Sequence, residues 1–244
     1  MQYQSNLAIL NTRESEIRHN LAVIHERIRK ACRDCNKAEE DVNLLLATKT
    51  VSPDDIRIAV EAGATLIGEN KVQEFSSKAD ALADLCITRH FIGHLQRNKV
   101  KEVLRHVQCI QTIDNLALAE EVNKRAGAMG RSVEVMIQVN TSFEASKFGI
   151  APENLPELAE QVRNMKNLTL IGLMTIGLNA EIIEDARPSY ALLKELGEKL
   201  NDKYPEKPIR EYSMGMSGDL EIAIEEGATI IRVGSAVFGT RIYP

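Results

Sequence analysis

The sequence has no tryptophan, and only five tyrosines and five phenylalanines among 244 residues. Proteins that bind single-stranded nucleic acid use aromatic side chains as stacking platforms, so this scarcity argues against that class of function. Positive charge is also in short supply, because 30 Lys and Arg residues are outnumbered by 35 Asp and Glu residues, which gives a net charge of −5. We therefore expect no nucleic-acid partner.

Cysteines and long apolar runs are equally scarce. Four cysteines in a chain of this length do not form a disulfide scaffold. No segment approaches the roughly 18 consecutive apolar residues of a membrane span, and Met1 to Glu14 lacks the basic and apolar regions of a signal peptide. Cys32 and Cys35 have metal-like spacing without a second Cys or His pair, so we expect no metal site. These absences favour a reduced, cytoplasmic protein.

The chain does contain a regular alternation of predicted helices and strands. The stretch from Leu7 to Cys32 carries apolar residues at helical spacing and predicts a long N-terminal helix. After Asp41, short apolar runs alternate with longer amphipathic stretches that are typical of helices. The predicted strands are residues 43–48, 64–67, 90–92, 107–113, 133–139, 168–173, 209–213 and 229–233.

This alternation indicates a parallel sheet, because each parallel connection needs a crossover helix. About eight such units in roughly 200 residues fit a closed α/β barrel of the (β/α)8 TIM type, here with an extra N-terminal helix. An open doubly wound sheet is the alternative, although it would usually need fewer strands. We expect residues 1–244 to form a single domain, with residues 1–40 as a helical segment packed on the barrel.

Lys49 occupies the first strand end of the predicted barrel. In such barrels the active face is built where strands pass into the following loops. Lys49 comes directly after an apolar strand, and burial would lower the pKa of its amine and free it to attack a carbonyl. From position alone, a lysine that emerges into solvent at a strand end is the simpler interpretation.

Two segments late in the chain have the composition of an anion site. Residues 213–219 combine hydroxyls and glycines directly before a predicted helix, and residues 232–235 form a second small-residue turn after the last predicted strand. Phosphate sites of barrels often follow the seventh and eighth strands. Either segment alone can be a tight turn, but both in this order favour phosphate binding.

An amine opposite a phosphate site is suited to a phosphorylated aldehyde. Pyridoxal 5′-phosphate (PLP), held as a lysine Schiff base, is the most obvious cofactor of this kind. A cofactor-free sugar phosphate aldolase would use the same parts and remains an alternative.

A series of short motifs runs from about Leu44 to the C-terminus. The motifs are Ala47-Thr-Lys49-Thr, Gly68-Glu69-Asn70-Lys-Val-Gln-Glu74, His90-Phe-Ile-Gly-His94-Leu-Gln-Arg-Asn98-Lys99, Asn140 with Ser146-Lys147-Phe-Gly149, Gly172-Leu-Met174, Ser213-Met-Gly-Met-Ser217-Gly-Asp219 and Arg232-Val-Gly-Ser-Ala-Val-Phe-Gly239. In this order they resemble the pyridoxal phosphate homeostasis protein family, whose members are similar in fold to the N-terminal barrel of alanine racemase. His94 departs from the pattern, because many relatives have proline there.

The resemblance implies a set of PLP contacts and no catalytic residues. The implied contacts are Lys49 for the Schiff base; Ser217, Gly234 and Ser235 for the phosphate, with Ser213 and the Met216 backbone nearby; Arg232 for the pyridine nitrogen; and Asn70 and Met174 for the ring. The implied function is that of a carrier and regulator in intracellular PLP (vitamin B6) homeostasis, without established catalysis. PLP-dependent apoenzymes or regulatory proteins are candidate partners. Because we expect no second domain that would complete a site between two copies, we expect a monomer.

A PLP-dependent amino-acid racemase, or another small amino-acid enzyme, is the alternative function. An arginine beside the pyridine nitrogen disfavours its protonation and makes the ring a weaker electron sink. Racemases that share this arrangement add a tyrosine from a second, β-rich domain, and we expect no such domain after Pro244. Tyr190, Tyr204 and Tyr243 lie in or after predicted helices and loops, and Tyr212 is expected to pack in the barrel wall. The carrier is therefore favoured.

Overall fold

Parallel strands form a closed barrel at the centre of the molecule. The computed structural model describes residues 2–178 and 182–239, with side chains from residue 12 onward. The strands follow one another around the barrel in chain order, and the last pairs with the first. They are β1 (Asn43–Ala47), β2 (Leu66–Glu69), β3 (Thr88–Phe91), β4 (Cys109–Ile113), β5 (Val133–Gln138), β6 (Leu168–Met174), β7 (Glu211–Ser213) and β8 (Ile230–Val233). This confirms the predicted barrel.

Helices precede, separate and follow the strands and cover the outside of the barrel. They are α1 (Gln2–Asp34), α2 (Pro53–Glu61), α3 (Val72–Lys78), α4 (Val100–Val103), α5 (Leu116–Ala128), α6 (Leu155–Arg163), α7 (Arg187–Lys203), α8 (Leu220–Glu225) and α9 (Ser235–Phe238). The predicted N-terminal helix is confirmed, and it is longer at both ends than the apolar periodicity indicated. Within the described ranges, none of these helices has the length and apolar character needed to cross a membrane.

Strand alternation divides the apolar side chains into two groups. Leu45, Met136, Met174 and Ile230 belong to a small cluster inside the barrel. The larger cluster lies between the outer faces of the strands and the helices. Successive residues of a strand point to opposite faces of the sheet. A strand residue two or four places after one that points into the barrel therefore also points into the barrel, which we call the inward phase.

Helix α1 packs against α8, α2 and α9. Ile17, Leu21, Ile24 and Ile28 recur every three or four residues and are all buried, so they form one apolar stripe. α8 follows β7 and α9 follows β8, which means that α1 supports the two segments predicted to bind phosphate.

Candidate functional site

Lys49 lies in the turn after β1 and is half-buried. Leu45 belongs to the inner cluster, and Ala47, the last residue of β1, has the same inward phase. Lys49 follows two residues later, at the carboxyl end of the strand. Among the described residues, no carboxylate comes within the 4.0 Å ion-pair distance of the Lys49 amine. The amine is therefore available to a ligand at the mouth of the barrel.

A cavity of about 240 Å³ joins Lys49 to the turn after β8. Its lining includes Lys49, Gly234 and Ser235. Gly234 precedes α9 and Ser235 begins it. The structure thus brings the predicted amine together with two of the residues predicted for phosphate, although they come from opposite ends of the chain.

Arg232 lies deeper in the barrel and is 6% exposed. Its two terminal nitrogens donate to the Ser213 hydroxyl at 2.8 Å and to the Thr175 carbonyl at 2.7 Å. No carboxylate in the described part of the chain forms an ion pair with it, and burial lowers the pKa of its guanidinium. A buried cation is costly unless an acceptor or anion compensates it, so this arrangement suits a ligand that presents one.

A chain of hydrogen bonds continues from Arg232 across the barrel interior. The Ser213 hydroxyl lies 2.7 Å from Gln111 Oε1, and Gln111 Nε2 lies 2.8 Å from His90 Nδ1. Arginine only donates, so Ser213 accepts from Arg232 and donates to the Gln111 oxygen. The Gln111 amide then donates to His90, whose remaining proton sits on Nε2. Burial lowers the pKa of His90 to about 4, which keeps the ring neutral.

Met174 and Asn70 lie at other strand ends of the same mouth. Met174 ends β6, is 1% exposed and pairs in register with Ser213. Asn70 follows β2, and its Oδ1 is buried without a hydrogen-bond partner among the described residues. A buried acceptor without a partner is uncommon in folded proteins, so this oxygen suits a ligand group that donates to it.

The loop after β7 carries Ser217 and is fixed from two sides. Arg27 of α1 donates to the Ser217 carbonyl at 2.9 Å. Asp219 accepts from the Met216 backbone N–H at 2.6 Å and from the Tyr190 hydroxyl at 2.7 Å. No residue of this loop lines the cavity beside Lys49, so the structure does not bring Ser217 into that cavity.

Tyr190 contacts this loop through Asp219 although it lies in α7. Its side chain is fully buried, and burial together with the Asp219 carboxylate raises the pKa of its hydroxyl. The sequence prediction that Tyr190 lies in a helix is correct, but its reach to the site loop was missed. Tyr212 packs in the barrel wall as predicted, and Tyr243 lies outside the described residues.

His94 stands at the rim of the mouth rather than in the cavity. Its ring stacks on Phe148, with centroids 3.8 Å apart, and its Nδ1 lies 3.8 Å from Asp114 Oδ2. Cys32 is buried near the end of α1 and Cys35 is half-buried, and both thiols are free. Within the described residues, no group of three His, Cys, Asp or Glu side chains is arranged to hold a metal ion.

A second cavity, of about 720 Å³, opens at the opposite end of the barrel. It is lined by residues at or near the beginnings of the strands, including Asn43, Thr88 and Glu134, and it reaches His90. Barrel active sites lie at the carboxyl ends of the strands, so we assign the site to the smaller cavity beside Lys49.

Comparison with known proteins identifies the family of the chain. A family model described as alanine racemase, N-terminal domain, matches residues 13–242. A pyridoxal phosphate homeostasis protein of Aquifex aeolicus (strain VF5) is 45% identical over 223 residues, which are 91% of this chain and 97% of the relative. The chain belongs to the pyridoxal phosphate homeostasis protein family. The resemblance predicted from the motifs is thereby confirmed.

Solved structures extend the comparison with this family. PipY of Synechococcus elongatus PCC7942, with PLP bound, is 32% identical with a TM-score of 0.81, covering 91% of this chain and all of PipY. An alanine racemase of Clostridium difficile 630 has a TM-score of 0.71 at 13% identity, covering 93% of this chain and 57% of the racemase. The second likeness concerns the barrel fold alone.

Proposed function

We propose that this chain binds PLP at the carboxyl-terminal mouth of its barrel and acts in intracellular PLP homeostasis as a carrier and regulator. The observation that supports this most directly is the single cavity shared by Lys49, Gly234 and Ser235. PLP bound there would present its aldehyde carbon, and the Lys49 amine would hold it as a Schiff base with release of water.

The phosphate end of the site would be held by backbone and hydroxyl groups. Gly234 and Ser235 stand at the start of α9, where N–H groups without helical partners suit an anion. Gly234 has no side chain to block a close approach of the backbone. Ser217 would contribute from the neighbouring loop, which Arg27 and Asp219 hold in place.

The ring end of the site would be formed by Arg232, Asn70 and Met174. The Arg232 guanidinium is directed by Ser213 and Thr175, and we propose that it donates to the pyridine nitrogen. A permanent cation at this position keeps the nitrogen unprotonated. That weakens the ring as an electron sink and supports a carrier over an amino-acid enzyme.

We extend the proposal to how the chain works in the cell. Residues 1–244 would act as one cytoplasmic domain and as a monomer that exchanges PLP with apoenzymes or regulatory proteins. Four free cysteines fit a reducing compartment. Relatives such as the Escherichia coli (strain K12) protein, 37% identical over 239 residues, carry the name pyridoxal phosphate homeostasis protein.

Titration of the purified chain with PLP, followed by visible absorbance, tests this function. A saturable band that is lost in Lys49→Ala supports it, whereas a colourless protein that binds sugar phosphates would favour the aldolase. Incubation with a panel of amino acids and a chiral assay addresses the enzyme alternative. Turnover that depends on Lys49 would overturn the carrier.

A further inference from the structure

The two peptide groups that flank Lys49 are both held by side chains. The Thr48 carbonyl accepts a hydrogen bond from Lys78 Nζ at 2.8 Å, and the Thr50 N–H donates to Glu74 Oε2 at 2.5 Å. The first bond fixes the peptide group before Lys49 and the second fixes the one after it. The start of the lysine side chain is therefore held in both position and direction.

Thr50 shows that this turn needs external support. Its φ angle is +62°, in the left-handed region that residues other than glycine seldom adopt. Such a conformation costs on the order of 1 kcal/mol and persists only where the surroundings impose it. The contact that the Thr50 N–H makes with Glu74 is one such restraint.

Lys78 links the two sides of the turn. Its side chain is 11% exposed, and its ammonium lies 2.7 Å from Glu69 Oε1 and 3.3 Å from Glu74 Oε2, besides its bond to Thr48. An ammonium group has three donors, so all of them are engaged. Lys78 is thus unsuited to be the reactive amine, and it joins both carboxylates to the backbone of the turn.

Glu69 completes the group from β2. It is 1% exposed, and its Oε1 also accepts from the Thr48 hydroxyl at 2.8 Å. Burial raises the pKa of this carboxyl and Lys78 opposes that rise. Leu66 of β2 belongs to the inner cluster, so Glu69, three places later in the same strand, faces the outside of the barrel. Thr48 and Lys78 contact Glu69 there, whereas Lys49 lines the cavity beside Gly234 and Ser235.

We propose that Glu69, Glu74 and Lys78, here called the turn clamp, are positioning residues that aim the Lys49 amine into the mouth of the barrel. The turn clamp contacts the backbone around Lys49 and would not touch the cofactor. This positioning role rests on the proposed function, because the direction of the Lys49 side chain matters only if Lys49 is the attachment point of PLP. The contacts of the turn clamp do not depend on that function.

The test compares Glu74→Ala with Glu74→Gln. Alanine removes the acceptor for the Thr50 N–H, whereas glutamine keeps an oxygen at that place. We expect amide exchange at Thr50, measured by NMR without PLP, to rise about tenfold in the alanine variant. We also expect the PLP dissociation constant of the alanine variant to rise about tenfold. Glu74→Gln should keep the exchange rate and the dissociation constant close to their wild-type values. Glu157→Ala, an exposed glutamate on α6, is the matched control.

Each outcome has a defined meaning. Faster amide exchange at Thr50 in Glu74→Ala, with unchanged PLP binding, would make the contact merely structural and overturn the proposal. Unchanged exchange at Thr50 in that variant would also overturn it. A wild-type chain that never binds PLP would refute the proposed function, while the exchange data would still report on the turn. If Glu74→Ala does not fold, the double variant Lys78→Met with Glu69→Gln releases the Thr48 side without leaving an unpaired buried carboxylate, and the same weaker PLP binding is expected.

Discussion

Buried polar side chains inside the barrel form one chain of hydrogen bonds. Arg232 is the centre of this arrangement, because it is buried and only neutral groups hold it in place. Ser213 accepts a hydrogen bond from Arg232 and donates one to the Gln111 oxygen, and the Gln111 amide group donates to His90. His90 must therefore present an unprotonated Nδ1, and the whole chain depends on a neutral imidazole.

The neutral state of His90 should make folding stability depend on pH. Its pKa is about 4 in the folded protein and about 6.5 when unfolded. Between these values the unfolded chain binds a proton that the folded chain does not, so stability is fully present above pH 6.5 and falls as the pH drops toward 4. The loss amounts to about 3 kcal/mol. Urea unfolding at a series of pH values measures it.

The variant His90→Asn isolates this contribution, because asparagine places an acceptor near Nδ1 and does not titrate. Its free energy of unfolding should decline less steeply than that of the wild type between pH 6.5 and pH 4. His19→Asn, which removes an exposed histidine of α1, should leave the wild-type slope intact. Identical slopes for His90→Asn and the wild type would show that His90 is not held neutral by the fold.

At the scale of elements, the loop between β7 and α8 combines tight backbone geometry with support from outside. Gly215 has a φ of +86°, and a Cβ placed there would lie 2.4 Å from the Cβ of Ala223. Gly218, three residues later, has open space at the same position. Only the first of these two glycines is required by the structure.

Gly215→Ala should therefore destabilise the protein and Gly218→Ala should not. The first change forces a positive φ on alanine and a clash with α8, for a loss of about 2 kcal/mol or more in the free energy of unfolding. The second should stay within about 0.5 kcal/mol of the wild type. Chemical denaturation of the protein without PLP compares them. Equal losses would contradict this loop geometry.

Helix α1 supports the same loop through Arg27. This side chain pairs with Glu221 of α8 through two nitrogens, at 2.7 and 2.8 Å, and also donates to the Ser217 carbonyl. Arg27→Met should cost about 1 kcal/mol of stability, since the pair is partly exposed, and should raise the PLP dissociation constant severalfold. Arg29→Met, whose partner Glu26 lies on the same helix, is the control. Unchanged PLP affinity in Arg27→Met would show that the contacts of α1 with this loop do not affect PLP binding.

The helices and strands were predictable from the sequence where the spacing of their apolar residues indicates the element. The strands were found because each is a short apolar run, although β3 begins at Thr88 rather than at His90. The connections between elements were not predictable. Tyr190 reaches Asp219 only because α7 packs beside the loop after β7, and the residues around Tyr190 give no sign of this.

For the whole molecule, closure of the barrel is the property that creates the site. β8 pairs with β1, with Leu45 opposite Arg232, and this pairing places Lys49 beside Gly234 and Ser235. Parallel strands put all their carboxyl ends at one mouth, which is why polar residues at strand ends could be chosen from the sequence. The depth of each residue in the barrel could not be predicted. Nothing in the sequence distinguishes the interior positions of Ser213 and Arg232 from the cavity position of Ser235.

Locating the lysine that carries PLP is the most direct test of the proposed site. The protein is loaded with PLP, reduced with borohydride, digested and analysed by mass spectrometry. We expect an adduct on the peptide that contains Lys49 and no adduct on that of the exposed Lys71. Labelling should be lost in Lys49→Ala but not in Lys71→Ala. An unmodified Lys49 peptide together with labelling of another lysine would contradict the proposed site.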